Sequence, residues 1–292
     1  MKSGFVAIIG RPNVGKSTIL NALLEHKISI VTDKAQTTRN SIRGIYDDDE
    51  YQIIFIDTPG IHKAMNALGR NMNKEAFNAS RGVDAIILVV DGSRRFDKGD
   101  EFIKETLPKN VPMFIVINKI DLITIVEANE IKAKYQEAYP EAKLLEMSAI
   151  RNFNIDTLLN LIKNEMKEGP RYFNEGTITD RKADFLIAEI IREKALEILQ
   201  EEVPHSLAVK VTNIKEKKEA IVVEATLITE RDSHKKIIIG KNGKRIKAIG
   251  VRARKDIEEL YNKSCYLELF VSVKEDWLNS ERMLKELGYK DV

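Results

Sequence analysis

A glycine-rich loop near the amino end carries residue types that bind phosphate. The segment Gly10-Arg11-Pro12-Asn13-Val14-Gly15-Lys16-Ser17 follows an apolar run at 5–9 and precedes a helical pattern at 18–24. Glycines let the backbone wrap around a polyphosphate, so that N–H groups and the positive end of the following helix point at its oxygens. Lys16 is expected to reach the terminal phosphates, and the Ser17 hydroxyl a Mg²⁺ ion. The residues predicted to contact a nucleotide here are Gly10, Asn13, Val14, Gly15, Lys16, Ser17 and Thr18.

A second chemical group, Asp57-Thr58-Pro59-Gly60, follows the apolar run at 53–56. The Asp57 carboxylate suits a residue that holds Mg²⁺, usually through water. Gly60 can turn its N–H toward a γ-phosphate because it lacks a Cβ atom. The group therefore predicts a segment whose conformation responds to the terminal phosphate.

Two further groups indicate which base is bound. Asn118-Lys119-Ile120-Asp121 follows the apolar run at 113–117, and Ser148-Ala149 follows the run at 144–147. The Asp121 carboxylate can accept hydrogen bonds from N1–H and the 2-amino group of guanine, whereas adenine offers no such donor pair. The Ala149 N–H is expected to donate to guanine O6. The residues predicted to contact the base of GTP or GDP are Asn118, Lys119, Asp121, Ser148 and Ala149.

A sheet must position these groups. The apolar runs lie at 5–9, 53–56, 85–90, 113–117 and 144–147, with helical segments such as 102–107 and 131–139 between them. Continuous apolar strands that alternate with helices indicate a mostly parallel sheet covered by helices on both faces. Ligands bind beyond the carboxyl ends of such strands, where the polar groups follow. The sequence therefore predicts an α/β P-loop domain.

These motifs resemble those of translation-factor-like GTPases over roughly residues 1–170. Within that group, Ala35-Gln36-Thr37-Thr38-Arg39 is similar to the first switch of the branch that contains the Era, TrmE and EngA GTPases. The resemblance assigns Mg²⁺ to Ser17, Thr38 and Asp57, and hydrolysis of GTP to Lys16, Thr38 and Gly60.

Two features bear on the rate of hydrolysis. Ile61 stands where many small GTPases carry a glutamine that orients the attacking water, and its side chain has no hydrogen-bonding group. We therefore expect either slow intrinsic hydrolysis or an attacking water that is positioned by backbone groups and by an element from outside this motif. The resemblance also implies that Asn13 helps to hold a K⁺ ion against the phosphates. The alternative, that Asn13 only caps the loop, stays open.

Gly169 and Pro170 mark a domain boundary, because both residue types stop the helical stretch predicted over 154–168. We place a GTP-binding domain at 1–170, a linker at 171–182 and a second domain at 183–292. The second domain is predicted to begin with an amphipathic helix over 183–199, followed by strands at 206–214 and 220–228 that form a hairpin.

A basic segment follows the hairpin, with no acidic residue between 235 and 255. Its nine basic residues lie at positions 235, 236, 241, 244, 245, 247, 252, 254 and 255. A charge run alone is usually a solvated helix face, but here the turn Gly240-Lys241-Asn242-Gly243 joins an apolar helix end to a second helix. Backbone N–H groups, a helix N-terminus and cations thus converge where a phosphodiester backbone could be clamped.

This arrangement resembles a KH domain of the bacterial type, a smaller α+β fold whose Gly-x-x-Gly loop grips about four single-stranded nucleotides. The resemblance implies an apolar floor for the bases made of Ile237, Ile238, Ile239 and Ile246. The residues predicted to contact RNA are Lys235, Ile239, Gly240, Lys241, Asn242, Gly243, Lys244, Arg245 and Lys247.

One GTPase domain followed by one KH domain is the arrangement of the Era GTPase family, which the sequence resembles over nearly its whole length. The segments Ile178-Thr179-Asp180-Arg181 and Leu287-Gly288-Tyr289 add to the likeness, whereas TrmE-like and EngA-like chains differ in domain content. The resemblance implies that the partner is the 3′ end of small-subunit ribosomal RNA in a 30S precursor. It also implies that GTP sets whether the KH groove is open.

Composition limits the remaining classes. A net charge of +2 in 292 residues, with 43% hydrophobic and 32% charged, is typical of a soluble two-domain protein. The lone Cys265 lies in an apolar run and is expected to pack in a core in a reducing cytosol. No apolar stretch is long enough to cross a membrane, so we expect a cytoplasmic monomer, with peripheral contact to the inner face of the cell membrane left open.

Two other functions stay open at this point. A metabolic P-loop ATPase would bind adenine, which the Asp121 carboxylate disfavours. A non-enzymatic RNA chaperone would need only the second domain.

Overall fold

The computed structural model describes residues 1–34 and 36–289 in two compact units. The first unit ends at Asp180 and the second begins at Arg181, and the short stretches 32–34 and 65–68 are grouped with the second. Ala35, the first residue of the predicted switch, and 290–292, the end of the predicted second domain, lie outside the described residues. None of the described helices combines the length and apolar character that crossing a membrane requires.

Six strands, hydrogen-bonded side by side, form the main sheet of the first unit. The strands are β1 (Lys2–Gly10), β2 (Ile42–Asp47), β3 (Tyr51–Asp57), β4 (Ala85–Asp91), β5 (Met113–Asn118) and β6 (Lys143–Glu146), in the spatial order β2-β3-β1-β4-β5-β6. All neighbouring pairs are parallel except β2 and β3, which form an antiparallel pair. The carboxyl ends of β1, β3, β5 and β6 therefore meet at one edge of the sheet.

Helices cover both faces of this sheet. They are α1 (Lys16–Leu24), α2 (Ala67–Ala79), α3 (Lys98–Thr106), α4 (Ile125–Ala138) and α5 (Ile155–Lys163). Because side chains alternate along a strand, Val6 and Ile8 of β1 join a core with α1 and α5, while Ala7 and Ile9 join a second core with α2, α3 and α4. The predicted α/β fold with two covered faces is confirmed.

The end of the last helix of this unit differs from the prediction. The helix predicted over 154–168 stops at Lys163, and Lys167–Glu168 forms a short strand, β7, that pairs antiparallel with Lys2 and Ser3. Met166, which precedes the strand, is buried in the core beside α5. Pairing with β1 therefore replaces the last helical turns before Gly169.

The second unit has the order of elements predicted from the sequence. They are α6 (Ala183–Ile198), β8 (Ala208–Glu216), β9 (Ala220–Thr229), α7 (Asp232–Ile239), α8 (Lys244–Tyr261), β10 (Ser264–Val273) and α9 (Glu281–Glu286). β8 and β9 form the predicted antiparallel hairpin, and β10 adds parallel to β9, in the order β10-β9-β8. The smaller α+β fold is thus confirmed.

The core of the second unit lies between its helices and one face of the sheet. Ile187 and Ile191 of α6 and Ile249 of α8 pack with alternate residues of β9 such as Val223. Cys265 lies in this core, and burial raises the pKa of its thiol to about 11. The cysteine therefore packs as a small apolar residue, as predicted, and carries little thiolate at neutral pH.

One carboxylate joins the β2–β3 hairpin to α5. Asp48 Oδ1 accepts the N–H groups of Glu50 at 2.9 Å and Tyr51 at 2.7 Å. Its Oδ2 accepts the Tyr46 hydroxyl at 2.9 Å and Lys163 Nζ at 2.8 Å. Burial raises the pKa of Asp48, but these hydrogen bonds, that of Lys163 foremost, outweigh burial and lower the pKa to about 2.

The substitution Asp48→Asn should weaken the acid sensitivity of the fold. A carboxyl whose pKa is lowered in the folded state stabilises it above its ordinary value of 3.8, and this contribution is lost as pH falls toward about 2. Urea midpoints measured between pH 5 and pH 2.5 should therefore fall less for Asp48→Asn than for the natural protein. Asp49→Asn, which removes an exposed carboxylate from the same turn, is the control. Parallel pH curves for the natural protein and Asp48→Asn would contradict this role.

Candidate nucleotide and nucleic-acid sites

The phosphate loop begins where β1 ends at Gly10 and stops where α1 begins at Lys16. The Lys16 side chain is buried, and its Nζ donates to the Arg11 carbonyl at 2.9 Å. Burial lowers the pKa of Lys16 to about 8, although the charge of Asp57 acts in the opposite direction. An ammonium that has lost its water in this way gains strongly from an anionic phosphate.

The three residues assigned to Mg²⁺ meet at one point. Ser17 Oγ lies 2.9 Å from Thr38 Oγ1 and donates to Asp57 Oδ2 at 2.6 Å. Asp57 is fully buried, which raises the pKa of its carboxyl while Lys16 opposes the rise. Its second oxygen, Oδ1, has no hydrogen-bond partner among residues 1–34 and 36–289. Two hydroxyls and a buried carboxylate oxygen with spare capacity fit the oxygen ligands that Mg²⁺ prefers.

The segment around Thr38 is buried although it is polar. Thr37, Thr38, Arg39, Asn40 and Ser41 are each less than a tenth exposed. The N–H of Ser41 donates to Glu75 Oε1 of α2 at 2.8 Å. A polar surface loop would leave such residues in water, so this structure favours a segment folded onto the site.

Three consecutive residues after β3 have different surroundings. Gly60 packs against Pro12, where a Cβ atom would come within 2.7 Å of the Pro12 nitrogen. Ile61 points into the core beside β1 and β4, so it does not face the phosphate region. His62 Nδ1 lies 2.9 Å from the Gly60 carbonyl, and its Nε2 lies 2.9 Å from Gln36 Nε2. Sequence reasoning missed His62, which joins the two predicted switch segments.

The residues predicted to read the base are connected to the phosphate loop by Asn118. Asn118 Nδ2 donates to the Val14 carbonyl at 2.8 Å, and its Oδ1 accepts the Ala149 N–H at 3.0 Å. The Ala149 N–H therefore donates to Asn118 in this structure, and its donation to guanine O6 stays a prediction. One amide thus holds three loops together.

The Asp121 carboxylate is oriented by a neighbouring hydroxyl. Ser148 Oγ donates to Asp121 Oδ1 at 2.5 Å. Lys119 Nζ donates to Asp91 Oδ2 at 2.7 Å, at the end of β4. The predicted base-binding residues therefore lie together at the carboxyl edge of the sheet.

The Gly-x-x-Gly loop of the second unit joins α7 to α8. Gly240, Asn242 and Gly243 have φ angles of 72°, 53° and 72°, in the left-handed region. A Cβ atom on Gly240 would lie 2.7 Å from Arg245 Cβ, whereas one on Gly243 would meet nothing within 4 Å. Arg245 Nη1 donates to the Ile237 carbonyl at 2.6 Å, so this guanidinium also anchors the end of α7. Its contact with RNA stays a prediction.

A groove of about 460 Å³ begins at the first turn of α8 and continues along β10. Its lining includes Ile246, Lys247, Gly250, Val251 and Arg254 of α8, residues 265–269 of β10 and residues 222–224 of β9. The sequence did not predict that β10 lines the groove. The pattern of a strand does not show which helix will pack beside it. Among the described residues β10 pairs with β9 alone, so one of its edges lies open.

The predicted apolar floor needs one correction. Ile238 is fully buried in the core of the second unit and cannot meet a ligand. Ile237 is exposed, and Ile239 and Ile246 are half-buried. Three successive isoleucines on a helix cannot share one face, because each residue turns by about 100° from the last. The predicted cations Lys241, Lys244 and Lys247 are exposed, and Lys235 is half-buried.

Two different protein families match the two parts of the chain. Residues 5–119 match the model of the family described as 50S ribosome-binding GTPase, and residues 202–278 match the KH domain family. A crystal structure of Era in complex with MgGDPNP and nucleotides 1506–1542 of 16S ribosomal RNA is similar to this chain at 39% identity, with a TM-score of 0.96 and complete coverage of both chains. A tyrosine-to-alanine variant of Era from Aquifex aeolicus bound to GDP·AlF4⁻ matches with the same identity, TM-score and coverage. The chain therefore belongs to the Era family of GTPases.

Proposed function

We propose that this GTPase binds the 3′ end of small-subunit ribosomal RNA during maturation of the 30S subunit, with RNA affinity set by the bound nucleotide. The observation that carries this proposal is the groove beside the Gly240–Gly243 loop, which exposed lysines flank. The full-length similarity to an Era crystallised with nucleotides 1506–1542 of 16S ribosomal RNA supports it.

At the nucleotide site, each residue has a separate task. Lys16 would pair with the β- and γ-phosphates, since burial has already removed water from its ammonium. Ser17, Thr38 and Asp57 would hold Mg²⁺, which, when bound, neutralises charge on the phosphates. Thr38 and the Gly60 N–H would sense the γ-phosphate, and their release on hydrolysis would change both switch segments. The residues assigned to hydrolysis are Lys16, Thr38 and Gly60.

Water for hydrolysis must be oriented by something other than residue 61. Ile61 lies in the core, so no side chain at this position can reach the water. Two roles remain for Asn13, which has a left-handed φ of 64°. It either caps the loop, as asparagine does at such angles, or helps to hold a K⁺ ion that supplies the charge of an arginine finger.

In the second unit, α8 begins after the left-handed Gly243, and the exposed Lys241, Lys244 and Lys247 lie in the loop and the first turn of this helix, around its N-terminal backbone groups. These groups would clamp phosphates. Bases would then lie over the half-buried Ile239 and Ile246 and reach the open edge of β10, whose backbone groups can pair with base edges. From sequence we also propose that the protein is a cytoplasmic monomer, and peripheral contact with the inner membrane face stays open.

The substitution Asp121→Asn should exchange guanine for xanthine specificity. An amide in place of the carboxylate presents a donor where guanine needs an acceptor, while its oxygen can still accept from Ser148 Oγ. Competition between fluorescent GDP and xanthosine diphosphate should therefore favour the latter by at least tenfold. Asp156→Asn, which changes a carboxylate on α5, is the control. Retained guanine preference would contradict the assignment of Asp121.

Replacement of KCl by NaCl tests the role of Asn13. Hydrolysis of GTP at equal ionic strength should be faster in KCl if Asn13 helps to hold K⁺, and Asn13→Gly should remove the difference. Glycine keeps the left-handed φ of 64° without strain, so loss of the loop shape is avoided. Equal rates in both salts would leave Asn13 with the capping role alone.

The substitution Gly243→Asp should abolish RNA binding and spare GTP binding. The added carboxylate would enter open space beside the helix N-terminus and repel phosphate. Affinity for a single-stranded RNA of the ribosomal 3′ end should fall at least tenfold, whereas fluorescent GDP affinity should not change. Gly288→Asp is the matched control, because Gly288 has a φ of 74° and equally open surroundings in the same unit.

The natural protein provides two further tests with this RNA. Its log affinity should fall with log salt by about 0.7 for each phosphate neutralised. Its affinity should differ between the GTP-analogue and GDP states. Binding that ignores salt, or an equal loss in Gly243→Asp and Gly288→Asp, would contradict the RNA site, while equal affinity in both nucleotide states would contradict only the switch.

A further inference from the structure

A hydroxyl outside the recognised motifs touches the carboxylate of Asp57. Ser29 is 1% exposed, and its Oγ donates to Asp57 Oδ2 at 2.8 Å. Ser17 Oγ donates to the same oxygen at 2.6 Å. Asp57 Oδ1, by contrast, has no hydrogen-bond partner within the part of the chain that the structure describes. Both donors therefore act on one oxygen, and the other oxygen keeps its full capacity to accept.

The backbone that carries Ser29 is held by Asn21 of α1. Asn21 Oδ1 accepts the N–H groups of Ile28 at 3.1 Å and Ser29 at 3.0 Å. Asn21 Nδ2 donates to the Ser29 carbonyl at 2.7 Å. Because Lys16 begins the same helix, these three hydrogen bonds fix Ser29 relative to the phosphate loop.

We propose that Ser29, held by Asn21, is a positioning residue that orients the Asp57 carboxylate and leaves Oδ1 for Mg²⁺ or its water. A carboxylate can rotate about its Cβ–Cγ bond, and two donors on one oxygen restrict that rotation. Ser17 is itself expected to bind Mg²⁺ through its oxygen, so Ser29 is the donor to Asp57 that is not also a proposed metal ligand. The inference rests on the Mg²⁺ site proposed above and deepens it.

Chain position sets Ser29 apart from the switch. Ser29 lies nine residues before Thr38, and Ser29 is attached to α1 through Asn21 rather than through Thr38. Movement of the segment around Thr38 would therefore leave the donor on Asp57 in place. The Asp57 carboxylate would keep one orientation in both nucleotide states.

The test is the Mg²⁺ dependence of nucleotide release from the full-length protein. The rate at which fluorescent GDP dissociates is measured as Mg²⁺ is titrated, and again in EDTA. In Ser29→Ala, the Mg²⁺ concentration that halves the release rate should rise about tenfold, as is typical when a group that orients a metal ligand is lost. Release in EDTA should not change, because Ser29 acts only through Asp57.

A matched control separates this effect from the loss of a buried hydroxyl. Ser80 is also 1% exposed, and its Oγ donates to the Phe77 carbonyl at 2.7 Å, away from the site. Ser80→Ala should leave the Mg²⁺ midpoint unchanged. Ser29→Cys, which keeps a weaker donor of similar size, should shift the midpoint less than alanine does. If Ser29→Ala fails to fold, Ser29→Gly, which also removes the donor, decides the question by the same criterion.

The outcomes separate this inference from the proposed function. A midpoint of Ser29→Ala equal to that of the natural protein, or an equal shift in Ser80→Ala, would overturn the positioning role. Release from the natural protein that ignores Mg²⁺ would overturn the metal site itself. As a single substitution, Asn21→Ala should raise the Mg²⁺ midpoint. In the double variant with Ser29→Ala it should add little to the shift, and fully additive shifts would remove Asn21 from the proposal.

Discussion

The Asp57 carboxylate is fully buried at the carboxyl end of β3, and the rest of the nucleotide site is arranged around it. A carboxylate without water is costly unless charges and hydrogen-bond donors surround it. Lys16 supplies the charge, and Ser17 and Ser29 supply the donors. Since Thr38 meets Ser17, one buried oxygen network connects the phosphate loop, the first switch and β3. A change in any of these segments therefore acts on the same carboxylate.

Asn118 plays the corresponding part at the base end of the site. Its amide joins the phosphate loop to the turn at Ala149, so three loops that are far apart in sequence depend on one side chain. Ser148 in turn orients Asp121. Because these hydrogen bonds connect the loops directly, the proposed phosphate binding and base selection depend on the same edge of the sheet.

The second unit uses a different principle. Its loop between α7 and α8 has left-handed backbone angles, and the exposed lysines stand on a helix start rather than in a buried network. Arg245 shows that one cation in this region has a structural task, since it holds the end of α7. The groove along β10 adds apolar surface and an open strand edge. In the proposed RNA complex, phosphate attraction and base contact would thus be supplied by different elements.

The sequence by itself determined the two domain folds and the order of elements in the second unit, and it indicated the chemistry of each motif. That was feasible because a phosphate loop, a Gly-x-x-Gly turn and the alternation of apolar strands with helices are local patterns. Only the tertiary structure placed Ser29 on Asp57, His62 between two segments, β10 along the groove and Ile238 in the core. It also ended α5 at Lys163, because Lys167–Glu168 pairs with β1. Such contacts join residues up to 166 positions apart, as in Lys2 with Glu168, and they depend on tertiary packing, which a local sequence pattern does not contain.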